Sequence, residues 1–121
     1  MTHDDVARWL DAYVDAWNTY DPDKIGALFS ADAEYRYRPS DEPLRGRDAI
    51  VADWVSDQDA PGTYEASYAP WAVEGRRAVG TGTSRYTAPD HNTTYHNVFL
   101  LEFDEAGDCS SFTEVFVEQR H

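Results

Sequence analysis

Near the end of the chain one carboxylate, Glu114, stands between Phe112 and Phe116 at alternating positions. In an extended strand these three side chains share a face, so the acid is set among rings where water is scarce. Desolvation there raises a carboxyl pKa and poises it as a general acid or base, with Tyr13 or Tyr37 as hydroxyl donors. The plainer alternative is a buried charge satisfied by Arg85 or a tyrosine hydroxyl, because buried charges must be paired. The two overlap, since a paired carboxylate can still bind a ligand. Asn97 could orient a ligand carbonyl, or it could be a core amide bonded to a neighbour. Arg85 could clamp a substrate carboxylate or phosphate with its planar fork, or lie in solvent at a strand end.

Other chemistries find no support. His91 and His96 are five apart, a spacing that fits no common ligand motif, and His3 and His121 are terminal. No structural metal and no cofactor are expected. Gly80 and Gly82 alternate within a strand, where they permit curvature or close approach rather than cradling phosphate. No serine is placed beside a histidine and a carboxylate. Cys109 is the only cysteine, so there is no internal disulfide.

The elements that must position these groups are legible from periodicity. Val6, Trp9, Leu10, Tyr13, Val14 and Trp17 fall on one face of a helix over 2–19. Thr2 and Asp5 suit a capping box, with aspartate in place of glutamate. Asp21 and Pro22 start a second, short helix whose buried side is Ile25, Leu28 and Phe29. A strand follows at 33–38, with Tyr35 and Tyr37 on one face, and a third helix from about Arg47 carries Ile50, Val51, Trp54 and Val55. The rest alternates as strands at 63–73, 76–87, 93–103 and 109–118, joined by short turns. Pro70 places a bulge or an edge in the first of these. Helices first and strands afterwards predict one α+β domain over residues 1–121, with an antiparallel meander.

Alternation then sorts the strand residues. Thr81, Thr83 and Arg85 are grouped with Asn97 and Phe99 and with Phe112, Glu114 and Phe116 as an aromatic face carrying polar groups. Facing them from the helices and the first strand are Tyr13, Trp17, Tyr35, Tyr37 and Trp54. Apolar walls with a few converging polar groups are what a small-molecule site requires. The opposite face is small and aliphatic, too apolar to leave in water, and a second copy of the chain is expected to cover it.

The net charge is −13, which argues against nucleic-acid backbones and anionic membrane surfaces as partners. It fits a high-salt habitat, with Lys24 the only lysine, or simply a background rich in aspartate and arginine. No apolar run is long enough to span a membrane, and the N-terminal stretch does not read as a secretory signal, so a cytoplasmic location is expected.

The order of motifs FSADA, then GRDAI, then FDEAG before a final strand resembles the nuclear transport factor 2-like superfamily, in its SnoaL-like and ketosteroid-isomerase-like branch. The resemblance spans essentially the whole chain. It implies a cone-shaped α+β barrel with three helices on a strongly curved sheet, a pocket at the wide end and dimerisation through the sheet. By the same resemblance, the oxyanion-donating tyrosine of the isomerases falls on Tyr13, and a supporting tyrosine falls on Trp54. The catalytic aspartate base falls on Tyr37 and the second oxyanion donor on Phe99, so steroid isomerisation by that mechanism is not expected. The dehydratase branch uses paired pocket histidines, and the epoxide-hydrolase branch two acids bridged by an arginine; neither set is complete here. Two readings remain open. One is an isomerase, cyclase or dehydratase acting on a small hydrophobic carbonyl compound through Glu114; the other is a non-catalytic binding or dimerisation module.

Overall fold

A computed structural model describes residues 1–120, and His121 lies outside them. The elements run α1 (His3–Thr19), α2 (Pro22–Gly26), β1 (Phe29–Arg36), β2 (Leu44–Arg45), α3 (Arg47–Ser56), β3 (Tyr64–Glu74), β4 (Arg77–Ala88), β5 (His91–Phe103) and β6 (Cys109–Glu118). The capping box at the start of α1 is complete. Asp5 N–H donates to Thr2 Oγ1 at 3.1 Å, and Thr2 N–H donates to Asp5 Oδ2 at 2.8 Å. Thr2→Ala should therefore lower stability by about 1 kcal/mol, read as a shift of the urea midpoint with unchanged slope. Asp21 caps α2 as expected, accepting from Asp23 N–H, with Pro22 in the first turn. Phe29, expected on that helix, instead opens β1.

The six strands form one sheet in the order β2-β1-β6-β5-β4-β3. Two expectations need correction, and one strand is new. The sheet is curved but open, not a closed barrel, because β2 and β3 are free edges. It is not wholly antiparallel, because β1 pairs with β6 in parallel, Tyr35 opposite Phe112. The two-residue strand β2 beside β1 is too short to leave a periodic signal. Pro70 sits on the edge strand β3 at a register shift, so it marks both an edge and a bulge.

Curvature has a local cause in β4. A Cβ on Gly82 would lie 2.0 Å from the Ser67 carbonyl oxygen and 2.6 Å from the Tyr68 ring. A Cβ on Gly80 would meet the Leu10 methyls at 3.2 Å. Both glycines face the concave side; at Gly82 the sheet folds so closely that no side chain fits, while at Gly80 only the flexible end of Leu10 stands in the way. The concave side is filled by α1 and by an aromatic core. Tyr35 stacks on Phe112 at 4.4 Å, Tyr13 on the other flank of Phe112 at 5.5 Å, and Trp9 Nε1 donates to the Leu28 carbonyl at 3.0 Å. No helix among the described residues is long and apolar enough to cross a membrane.

Candidate functional site

Above that aromatic core the concave side opens into a cavity of about 390 Å³. α1 contributes Tyr13 and Trp17, and the end of α1 adds Tyr20, whose backbone takes φ 51°. Left-handed backbone is uncommon for a tyrosine, and two bonds hold it: Tyr20 N–H to the Ala16 carbonyl at 2.8 Å, and Asp59 N–H to the Tyr20 hydroxyl at 2.9 Å. β1 and the residue after it supply Tyr35 and Tyr37. α3 and its C-terminal loop supply Asp53, Trp54, Asp57 and Asp59. Tyr68 of β3, Ser84 and Tyr86 of β4, His91, Tyr95 and Asn97 of β5, and Glu114 and Phe116 of β6 complete the wall.

Eight of the expected site residues come together here: Tyr13, Trp17, Tyr35, Tyr37, Trp54, Asn97, Glu114 and Phe116. Five do not line the cavity. Thr81, Thr83 and Arg85 point away from it, because Gly82 and Ser84, not their neighbours, lie opposite Asn97 and Tyr95. Arg85 is exposed and sits across from Glu65 on the outer face. Phe99 and Phe112 face inward but are fully buried in the core below the cavity. Sequence reasoning missed Ser84 and Tyr86 for the same register reason, and the three aspartates because they lie on a helix end and loop. His91, which matches no metal-ligand spacing, lines the cavity in another way: its ring stacks on Tyr86 at 4.3 Å and its Nε2 lies 3.1 Å from the Tyr95 hydroxyl. His96 is exposed on the outer face, as expected.

Glu114 is held by a short polar chain. The Ser84 hydroxyl donates to Asn97 Oδ1 at 3.0 Å, and Asn97 Nδ2 donates to Glu114 Oε2 at 2.6 Å. Ser84 and Asn97 are buried, so the chain is fixed and orients the amide. Burial raises the Glu114 carboxyl to about 7, against the lowering pull of the Asn97 amide and the Arg38 guanidinium. Its partner is therefore Asn97, and neither Arg85 nor a tyrosine. Burial, reinforced by neighbouring phenols and by Glu114, pushes the hydroxyls of Tyr13 and Tyr35 well above the usual phenol range. Tyr37 rises too, first by burial and then through the hydroxyl it donates to Asp53 Oδ2 at 2.5 Å. All three are proton donors at any working pH. The buried Trp54 Nε1 has no hydrogen-bond partner among the described residues. Asn97→Leu should cost roughly 1–3 kcal/mol by stranding Ser84 and should move the Glu114 titration upward, followed by carboxyl NMR.

No group of three or more histidine, cysteine or acidic side chains among the described residues is arranged to hold a metal ion. Cys109 is buried and its thiol is pushed up to about 12 by burial, which leaves it inert.

This geometry is that of a known family. The SnoaL-like domain matches residues 10–112, and the chain belongs to that family. No curated protein sequence matches the chain significantly. Among solved structures, it is similar to a nuclear transport factor 2-like protein of unknown function from Burkholderia xenovorans LB400. The two share 20% identity and a TM-score of 0.75, over 98% of this chain and 87% of that one. It is also similar to an LEH-like epoxide hydrolase of M. tuberculosis at 15% identity and a TM-score of 0.72, over 95% of this chain and 84% of that one. At such identities the likeness concerns the fold.

Proposed function

We propose that the cavity binds a small, mostly apolar carbonyl compound and that Glu114 moves a proton on it. The observation that carries this reading is a carboxyl titrating at about 7 inside an aromatic cavity, tethered through one oxygen to the Ser84–Asn97 chain. A general acid or base is most effective when its pKa lies near the operating pH. In its ionised form Glu114 takes a proton from the carbon beside the carbonyl, while the Tyr13 hydroxyl donates to the oxygen where charge develops, the Tyr37 proton being held by Asp53. Returning that proton to the far end of a conjugated enolate isomerises the substrate; giving it to a hydroxyl on the neighbouring carbon, which departs as water, dehydrates it; giving it to the alkoxide formed when the enolate attacks a second carbonyl closes a ring. The residues that occupy the isomerase base and second oxyanion positions, Tyr37 and Phe99, supply neither function, so Glu114 works from a different strand.

The test is solvent deuterium exchange at the carbon beside the carbonyl, followed by NMR across a panel of small apolar ketones. Wild-type protein should accelerate exchange for some of them, with a rate that rises with pH through about 7, and Glu114→Gln should lose roughly a hundredfold or more. Equal exchange by both proteins on every ketone would leave the non-catalytic binding module as the reading. We also propose that a second copy covers the outer face of the sheet, where Trp71 (74% exposed), Val117 (64%) and Leu100 (46%) lie in water. Sedimentation showing a monomer at micromolar concentration would remove that proposal.

A further inference from the structure

The charge and surface chemistry of the cavity wall narrow the ligand class further, resting on the reading that the cavity is a ligand site. Its walls are mostly ring faces, among them Trp17, Tyr37, Tyr86 and Phe116. Its charged side chains are all acidic. Asp53, Asp57 and Asp59 stand in the wall, and Glu114 sits deeper. Two of these acids are fixed by the rings themselves: Tyr37 donates to Asp53, and Trp17 Nε1 and the Tyr20 hydroxyl donate to Asp59 at 3.2 and 3.4 Å. No lysine or arginine lines the cavity among the described residues. The nearest guanidinium, Arg38, packs 5.1 Å over the Phe116 ring, so one aromatic face of this wall already receives a cation.

An anionic ligand would meet like charge on several sides, and the one guanidinium beside the wall, Arg38, already serves the Phe116 ring and Glu114. A neutral ligand would use the rings and ignore the carboxylates. A cation uses both, because ring faces and carboxylates attract it together in a partly desolvated site. We infer that the apolar carbonyl compound of this cavity also carries an organic ammonium, an amine or quaternary ammonium whose charged end lies among the rings, Asp59 and Glu114.

The groups that face Glu114 are Tyr13 from α1, Tyr35, Tyr37 and Arg38 from β1 and the residues after it, Tyr68 and Tyr86 from β3 and β4, and Asn97 from β5. The phenols stay neutral, so Glu114 is the group whose ionisation through about pH 7 adds negative charge next to the ligand. Attraction for a permanent cation therefore grows as pH rises through that value.

The experiment titrates the protein with benzyltrimethylammonium and with neopentylbenzene, its neutral isostere, following Trp17 and Trp54 fluorescence and confirming by calorimetry. Above pH 7 the ammonium should bind about tenfold more tightly than the isostere. That preference should shrink several-fold below pH 7, and in Glu114→Gln it should be smaller and independent of pH. Equal or tighter binding of the isostere overturns the inference while leaving a small-molecule cavity intact. Binding of neither probe overturns both. A preference that persists unchanged in Glu114→Gln, Asp53→Asn and Asp59→Asn alike also overturns it, since the charge would then play no part.

Discussion

Glu114→Gln should make the folded protein more stable at pH 8 by on the order of 2–3 kcal/mol, while changing little below pH 4. In the unfolded chain this carboxyl ionises at the ordinary value of 4.5; in the folded chain burial holds it to about 7. Between those pH values the native state keeps a proton that the unfolded state has released. Stability is thus lost as pH rises through the window, and above it the wild-type protein carries a buried charge at full cost. Glutamine fills the same volume and can still accept from the Asn97 amide, so the tether survives and the charge does not. Urea denaturation at several pH values measures the difference. Curves that run parallel for the two proteins from pH 5 to 8 would mean that water reaches the carboxyl freely. A gain in stability coupled to a loss of proton transfer is what a functional acid kept at a structural cost produces.

Gly82→Ala should be the most damaging small substitution on the sheet, costing about 3 kcal/mol or more and loosening β3 from β4. The new methyl has to displace the Ser67 carbonyl, which is backbone, and the Tyr68 ring, which forms part of the cavity wall. Gly80→Ala provides the control two residues away. There the methyl meets the flexible end of Leu10 at 3.2 Å, so the cost should stay near 1 kcal/mol. Thermal denaturation ranks the two, and amide hydrogen exchange along Tyr64–Glu74 reports whether the edge strand has come loose. If both alanines cost the same, the close approach at Gly82 is relieved by ordinary breathing of the sheet.

These two positions also show where sequence reasoning reaches and where it stops. The acid between two phenylalanines announced its own burial, because period-two alternation within a strand needs only local information. The caps of α1 and α2 and the bulge at Pro70 were legible for the same reason. Which face of β4 joins that acid is a matter of register between strands. Alternation leaves two answers, and a one-residue difference carries Thr81, Thr83 and Arg85 outward while Ser84 and Tyr86 come in. The glycines held the clue: small residues mark the tightly folded face, whereas threonines and an arginine tolerate the open one. The parallel pairing of β1 with β6 left no trace, since contacts between distant segments have no period. Nor did Asp53, Asp57 and Asp59, which read as ordinary surface acids and become part of the cavity only when α3 packs beside β1.

The pairing of the first long strand with the last has a consequence for biogenesis. β6 closes onto β1 only after the 72 residues between them, 37–108, have been made, and it brings both Phe112, the centre of the aromatic stack, and Glu114. Before β6 closes, Tyr13 and Tyr35 lack the Phe112 ring between them, although α1 already has β3 and β4 to pack on. The aromatic stack should therefore form late in folding, in one concerted closure set by loop entropy.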